Sequence, residues 1–258
     1  MDSKPLTYQC LQHILPHMSF LKRKELYAKC PAIRKQEEQL GYRINEMTVH
    51  QYPGLCEVNI DNFDIVFDGR PEDETKKCGV KMTVNGITVR KSIDVDPEEA
   101  AERWATYILN RPGTRIQDLK LYFSPICMLK VDQPMTVINL TMNGQFEKRD
   151  RPWIKTTVPV KHLTTISLTR DETIKTAESI VINQGHPIDP IIFSELQATQ
   201  ILVNAVLNVD EIISYLRNIT PRPIGFRFTC STFRTDYFNT LDYLADQVNG
   251  RKTLLDGR

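Results

Sequence analysis

The chain has 258 residues, of which 41% are hydrophobic and 25% are charged, and its formal net charge is +1. These proportions are typical of a globular protein with its own core, and the near-zero charge argues against binding to nucleic acid or a membrane surface. No apolar run reaches the roughly 18 residues of a membrane span. The chain lacks a secretory signal pattern, and its 6 cysteines form no C-x-x-C pair. We therefore expect free thiols and an intracellular location, in the cytoplasm or nucleus.

Residues 4–41 are predicted to form a short helical module of three helices. The first helix carries an apolar stripe at helical spacing, formed by Leu11, Ile14, Leu15 and Met18. Pro16 ends or kinks this helix, because proline removes a backbone donor and clashes with the preceding turn. Ser19 is the expected N-cap of the second helix, and Pro31 suits the first position of the third. Helices this short are marginal alone, so they must pack against each other, the rest of the chain or a partner.

In the second helix of the module, Leu26 and Cys30 lie one turn apart. Gly41 is a natural residue to end the third helix.

Residues 42–258 are predicted to form a second domain that begins with β-hairpins. Beyond Gly41 the apolar period changes to two, which is typical of strands. Asn85-Gly86 is the favoured pair for a two-residue hairpin turn, because both positions need a positive φ. Asp96, followed by proline and two glutamates, predicts the start of a helix.

From Thr114 onward, short apolar strands alternate with helix candidates. The strand candidates begin near Leu119, Met135, Leu163, Glu178, Gln200 and Gly225. Such alternation with short connections favours a largely parallel sheet. The overall prediction is an α+β protein: a three-helix module, a β-hairpin region, and a degenerate β–α sheet domain that is leucine-rich-repeat-like with irregular spacing.

No pattern in the sequence predicts catalysis, a metal site or a cofactor. His13 and His17 have a spacing that suits a metal on a helix, but Pro16 interrupts that face and no further ligand lies nearby. Cys230 has no partner that can be identified from the sequence, so a packed thiol is the favoured interpretation. Glycine-rich phosphate-binding motifs are absent. We therefore expect a protein that is not an enzyme.

The N-terminal stretch resembles an F-box. The residues that carry this resemblance are Pro5, Leu6, Leu11, Ile14, Leu15, Arg23, Cys30, Pro31, Ile33 and Arg34. The stretch departs from the motif in its third helix, where an F-box usually has a tryptophan. Together with "DETIKTAESIVI" and "TDYFNTLDYLADQVNGRK", it resembles an F-box-like family that is expanded in nematodes and has a C-terminal F-box-associated domain of unknown function.

This resemblance implies a non-enzymatic substrate-recognition subunit of a Skp-cullin-F-box ubiquitin ligase. The helices would dock on a Skp-type adaptor bound to a cullin, and the β–α domain would hold a protein substrate. The expected adaptor-binding residues are Pro5, Leu6, Leu11, Ile14, Leu15, Met18, Leu26, Cys30 and Pro31. The alternative is a stand-alone intracellular interaction protein whose N-terminal helices belong to its own core.

Overall fold

A computed structural model describes residues 10, 13–144, 154–183, 189–207, 209–218 and 225–232. Within these residues the fold is mixed α+β, with one large and mostly parallel sheet and few helices. The prediction of an α+β protein with a largely parallel sheet is confirmed at this level. None of the helices in these ranges is long and apolar enough to cross a membrane.

The complete α-helices of the described residues are short, apart from one of 13 residues. They are α1 (Phe20–Lys29), α2 (Arg34–Glu38), α3 (Pro97–Leu109), α4 (Glu172–Lys175), α5 (Pro190–Glu195) and α6 (Val209–Asn218). Single 3-10 turns lie at Leu15–His17, Pro31–Ile33 and Ile126–Met128. Residues 235–250, whose sequence "TDYFNTLDYLADQVNG" predicts a helix that ends at Gly250, lie outside the described residues.

The strands form one 11-stranded sheet in the order β11-β10-β9-β8-β7-β6-β1-β2-β3-β4-β5. Their bounds are β1 Arg43–Tyr52, β2 Leu55–Ile60, β3 Phe63–Asp68, β4 Cys78–Val84, β5 Ile87–Ile93, β6 Arg115–Tyr122, β7 Thr136–Asn143, β8 His162–Thr165, β9 Ser179–Ile182, β10 Gln200–Leu207 and β11 Arg227–Thr232. Pairs within β1–β5 are antiparallel. Strand β6 pairs in parallel with β1, and every later strand pairs in parallel with the one before it.

The two faces of the parallel region differ in burial because side chains alternate along each strand. On one face a buried row runs directly across six strands through Met47, Leu119, Leu140, Leu163, Ile180 and Ile201. Helices cover this face: Trp104 of α3 stacks on Phe63 of β3, and Phe193 of α5 packs edge-on against Phe228 of β11. The core therefore lies between the sheet and the helices.

Local signals set the hairpins of the antiparallel region. Asn85 and Gly86 have φ values of 50° and 81°, which confirms the predicted turn with two positive φ angles. Asp61, at φ 51°, turns the chain between β2 and β3. Its carboxylate also accepts hydrogen bonds from the backbone amides of Asn45 and Glu46 at 3.1 and 3.0 Å, which ties this turn to β1.

Two local expectations differ from the structure. Asp96 precedes α3 and Pro97 as predicted, but its side chain makes no capping hydrogen bond. Gly41 does not end a helix, because α2 already ends at Glu38. Instead, the amide of Gly41 donates to the carbonyl of Pro112 at 3.0 Å, and a Cβ at this position would lie 2.3 Å from the Thr114 nitrogen. Close backbone approach, rather than helix termination, therefore requires glycine here.

Candidate functional site

The predicted adaptor-binding residues have different exposures. Pro5, Leu6 and Leu11 lie outside the described residues. Ile14 is 39% exposed, whereas Leu15, next to it, is fully buried in the chain's own core. Met18 and Leu26 are half-buried, and Cys30 and Pro31 are exposed. The described part of the apolar stripe thus divides between the protein interior and its surface.

A buried charged cluster joins the N-terminal helices to the sheet. We define the Glu37 cluster as Arg23, Glu37, Tyr42 and Arg111, which are all buried. The Glu37 carboxylate accepts hydrogen bonds from the Tyr42 hydroxyl at 2.5 Å and from Arg111 at 2.9 Å. Arg23 lies 3.4 Å from the same carboxylate and donates to the carbonyls of Gly41 and Leu40 at 2.6 and 2.9 Å. The cluster fixes the segment around α1 and α2 against the end of α3.

Contacts with the Tyr42 ring further stabilise the Glu37 cluster. The guanidinium carbons of Arg23 and Arg111 lie 4.2 and 4.7 Å from the centre of the Tyr42 ring. Such contacts are favourable when the cation is desolvated. The Phe20 ring meets Tyr42 edge-on at 5.0 Å, which connects the cluster to the apolar core.

The burial of these groups changes their protonation. Burial alone raises the pKa of Glu37, but hydrogen bonds from Tyr42 and Arg111 outweigh that effect and leave the pKa lowered. Burial, with the hydrogen bond to Glu37, raises the pKa of Tyr42. Burial lowers the pKa of Arg23. Glu37 is therefore ionised and Tyr42 is protonated at neutral pH, as a structural ion pair requires.

The second face of the parallel region is open and polar, and we call it the open face. Its residues in one directly paired row are Glu46, Asp118, Asn139, His162, Ser179, Gln200 and Arg227. All of them are half-buried or exposed. Asn139 donates to Asp118 at 2.7 Å, and Lys120 pairs with Glu46 at 2.6 Å. Polar groups of both signs suit this face to contact with a polar surface.

Four aromatic side chains cluster at the end of β1 and β6, and we call them the aromatic corner: His50, Tyr52, Tyr122 and Phe123. The His50 and Tyr122 rings stack at 4.2 Å, and those of Tyr52 and Phe123 meet at 4.7 Å. Tyr52 and Phe123 are 42% and 47% exposed. Exposed aromatic residues are enriched among the energetically dominant residues of protein interfaces.

The backbone at this corner is strained. Phe123 has a φ of 63°, in the left-handed region that bulky residues rarely occupy. Its backbone packs so closely on Gly144 that a Cβ there would lie 2.8 Å from Phe123 atoms. Strain of this kind persists where the surrounding structure enforces it, and it concentrates at functional positions. The aromatic corner is thus the strongest candidate for a protein-binding site on the open face.

The cysteine and histidine candidates form no metal-binding group in the described residues. Burial raises the pKa of Cys230. The pKa of Cys127 is well above its usual value because it is hydrogen-bonded to Cys56 and buried. His17 contacts Arg43 at 3.2 Å. In the described ranges no three His, Cys, Asp or Glu side chains converge as metal ligands.

Sequence reasoning missed both the Glu37 cluster and the aromatic corner. Glu37 lies in the polar run "KQEEQ", where nothing distinguishes a buried glutamate from its exposed neighbours. Tyr52 precedes Pro53-Gly54, a turn signal that marks the end of a strand. That signal places Tyr52 at a strand end, but it does not pair β1 with a strand more than sixty residues later.

No protein-family model, curated protein or solved structure matches this chain.

Proposed function

We propose that this protein is a non-enzymatic recognition subunit of a Skp-cullin-F-box-type ubiquitin ligase. Its N-terminal segment docks on a Skp-type adaptor, and its sheet domain holds a protein substrate on the open face. The parallel strands are degenerate β–α repeats of the leucine-rich-repeat kind. The observation that carries the substrate-binding part is the open face itself, which ends in exposed aromatic side chains.

The open face has the composition of a protein interface. It is polar and of mixed charge, with Lys120 and Glu46 paired near one end. The aromatic corner adds rigid rings that bury a large area at low entropy cost. A substrate would place its own apolar anchor against Tyr52 and Phe123 and make polar contacts along the strands.

The N-terminal segment supports adaptor docking because it presents apolar groups on a fixed support. Ile14, Cys30 and Pro31 are exposed, and the Glu37 cluster holds the supporting helices in place. A preorganised apolar surface loses less entropy on binding than a flexible one.

A second candidate is a stand-alone interaction protein whose N-terminal helices belong to its own core. The burial of Leu15, Phe20 and Ile33 favours it, as does the insertion of Arg23 among the backbone carbonyls of Gly41 and Leu40. The two candidates share the open face as a protein-binding surface and differ in whether Ile14 meets an adaptor.

Adaptor binding is tested by size-exclusion chromatography of the purified chain with a Skp-type adaptor at micromolar concentration. We expect a complex with the wild type, and an Ile14→Asp variant that binds about tenfold more weakly because a charge enters an apolar contact. Ile191→Asp is the matched control, since Ile191 is 58% exposed on α5, which packs beside β11 at the opposite end of the parallel strands from β1. Absence of a wild-type complex contradicts adaptor docking and favours the second candidate.

Substrate binding is tested separately by photo-crosslinking. A benzophenone amino acid replaces Tyr52 in one protein and Tyr107 in another, since these tyrosines are 42% and 44% exposed. Tyr107 lies on α3, on the helix-covered side of the sheet. We expect substrate proteins to crosslink at position 52 and not at position 107. Equal patterns at both positions contradict the open face as the binding surface.

A further inference from the structure

A largely apolar groove of about 810 Å³ lies between α1, α3 and the β3–β4 region. Its walls come from Phe20, Leu21, Phe63, Met82, Val84 and Trp104, with Lys24 and Tyr107 among the polar lining groups. Pockets that hold small organic molecules measure about 300–1,000 Å³ and combine apolar walls with a few polar groups. The groove has the size and lining of such a pocket, and it is separate from the open face.

The apolar surface continues beyond the groove on β5. Ile87 and Val89 pair with Val84 and Met82 of the groove wall. They are 72% and 55% exposed, although they lie on the same side of the sheet as the core. Because water contacts this apolar surface, a ligand that covered it would gain hydrophobic free energy.

Positive charge exceeds negative charge where Lys24, which lines the groove, meets the Glu37 cluster beside it. Arg23, Lys24 and Arg111 surround a single buried carboxylate, that of Glu37. In the described residues, Glu37 is the one ion-pair partner of Lys24, at 3.9 Å. The buried Arg23 Nε and Arg111 Nη2 atoms have no hydrogen-bond acceptor. An uncompensated buried positive charge attracts an anion.

Lys24 connects the groove to the Glu37 cluster, because it lines the groove and lies 3.9 Å from the Glu37 carboxylate. Its side chain is 23% exposed, and its ammonium nitrogen donates to the Tyr107 hydroxyl at 3.2 Å. The nitrogen lies 4.4 Å from the Tyr107 ring centre and 5.3 Å from that of Tyr27. The Tyr27 hydroxyl donates a hydrogen bond to the Glu38 carboxylate at 2.5 Å, so this nearby carboxylate already has a hydrogen-bond partner.

The protonation of Lys24 depends on all the charges around it. Its pKa is lowered to about 8: burial is the main cause, Glu37 and Glu38 raise the pKa, and Arg111 and Arg23 lower it. Lys22 and Glu25 also line the groove, but they pair with each other at 2.8 Å. A bound anion would raise this pKa and so favour the charged ammonium form over a wider pH range.

We propose that this groove binds a small amphiphilic carboxylate, with the carboxylate on Lys24 and the apolar body against Phe63, Met82 and Trp104. The charge excess selects an acid over a neutral compound, and the apolar walls select an alkyl or aromatic chain. The exposed Ile87 and Val89 extend the surface for a longer chain.

The test measures binding of decanoate, with decanamide as the neutral analogue, through the fluorescence of Trp104. The other tryptophan of the chain, Trp153, is replaced by phenylalanine in every protein so that Trp104 is the sole reporter. We expect decanoate to shift Trp104 emission and to bind about tenfold more tightly than decanamide near pH 7, since the amide lacks the ion pair. Equal affinity for the two compounds, or no response to decanoate at millimolar concentration, overturns the proposal.

Variants at position 24 test whether the charge of Lys24 holds the carboxylate of decanoate. Wild-type affinity for decanoate falls about tenfold between about pH 7 and about pH 9.5 as Lys24 loses its proton. In Lys24→Arg, which stays charged, the affinity is independent of pH; in Lys24→Met it is weak throughout. Lys29→Met, an exposed change on the same helix and outside the groove, matches the wild type. A wild-type profile as flat as that of Lys24→Arg also overturns the proposal, and this comparison holds even if Lys24→Met does not fold.

Discussion

The Glu37 carboxylate accepts a hydrogen bond from the Tyr42 hydroxyl at 2.5 Å, and both side chains are completely buried. This contact joins the last of the N-terminal helices to the residue that precedes β1. Arg111, just beyond the end of α3, donates to the same carboxylate. Glu37 therefore links the N-terminal segment to both β1 and the end of α3, which makes its part in this coupling testable by single substitutions.

Glu37→Gln should strongly destabilise the protein. The substitution keeps the shape of the side chain and removes its charge, which leaves Arg23 and Arg111 buried without a counter-ion. Breaking a buried ion pair from one side costs about 3–5 kcal/mol. Urea unfolding measures the change. The control is Glu38→Gln, which removes the exposed negative charge that accepts from the Tyr27 hydroxyl and should cost less than about 1 kcal/mol. Equal stability of the two variants would refute the structural role of the cluster.

Lys24 should make stability rise with pH in the alkaline range. Its pKa falls from 10.5 to about 8 on folding, mainly through burial. Between these values the unfolded chain binds more protons than the folded one, so the free energy of unfolding increases as pH rises. The wild type should therefore gain on the order of 2 kcal/mol over Lys24→Met between about pH 7 and about pH 10. Parallel stability curves for the two proteins would show that Lys24 is not desolvated.

Gly41→Ala should destabilise the junction between α2 and β1. The new methyl group would lie 2.3 Å from the Thr114 nitrogen and 2.4 Å from the Gly113 carbonyl carbon, which are backbone atoms that cannot rotate away. Overpacking of this kind costs about 1–3 kcal/mol. At Gly69 the nearest atom lies 3.3 Å away, so Gly69→Ala is the matched control and should lower the melting temperature much less.

Leu140 and Thr141 are neighbours on β7 that face opposite sides of the sheet. Leu140 is 1% exposed within the buried row, and Leu140→Ala should cost about 2–5 kcal/mol through lost burial and a cavity. Thr141 is half-buried on the open face, and Thr141→Ala should change stability by less than about 1 kcal/mol. Chemical denaturation of both variants checks the assignment of the two faces. A reversed order would mean that the register is shifted by one residue.

Cysteine reactivity should follow burial. Cys30 is exposed, and Cys56 and Cys127 are buried against each other. In the native protein, iodoacetamide should modify Cys30 and leave the buried pair intact, because the reactive thiolate is disfavoured at Cys127. Mass spectrometry of tryptic peptides measures the order, with urea-unfolded protein as the reference in which all three react. Rapid native labelling of Cys127 would contradict the burial of Cys127 and Met128 in the 3-10 turn Ile126–Met128.

Short-range patterns predicted most of the individual elements. The Asn85-Gly86 turn, the strands of the β–α region and the helix after Asp96 all appear where their local signals lie. Helix α5 was missed, although Asp189-Pro190 repeats the Asp-Pro signal that marks α3. Its short length, six residues, left too few apolar positions for a helical period to stand out.

The candidate sites could be predicted less well from the sequence. Ile14 and Leu15 are adjacent members of one predicted apolar stripe, yet one is exposed and the other is buried. Periodicity assigns residues to a side of a helix, but it does not say which neighbour covers that side. The predicted docking surface therefore contained residues with different environments.

The alternation of buried residues and the turn residues depend on positions close together in the chain, so they can be recognised in the sequence. They specify the strands, the hairpins and the difference between the two faces of the sheet. The Glu37 cluster, the aromatic corner and the groove beside Lys24 join residues separated by tens of positions, such as Glu37 with Arg111 and Tyr52 with Phe123. Their charge balance and strain arise only when β1 pairs with β6 and α3 crosses the sheet. Pairing over that distance depends on the packing of the whole core, which no local pattern encodes.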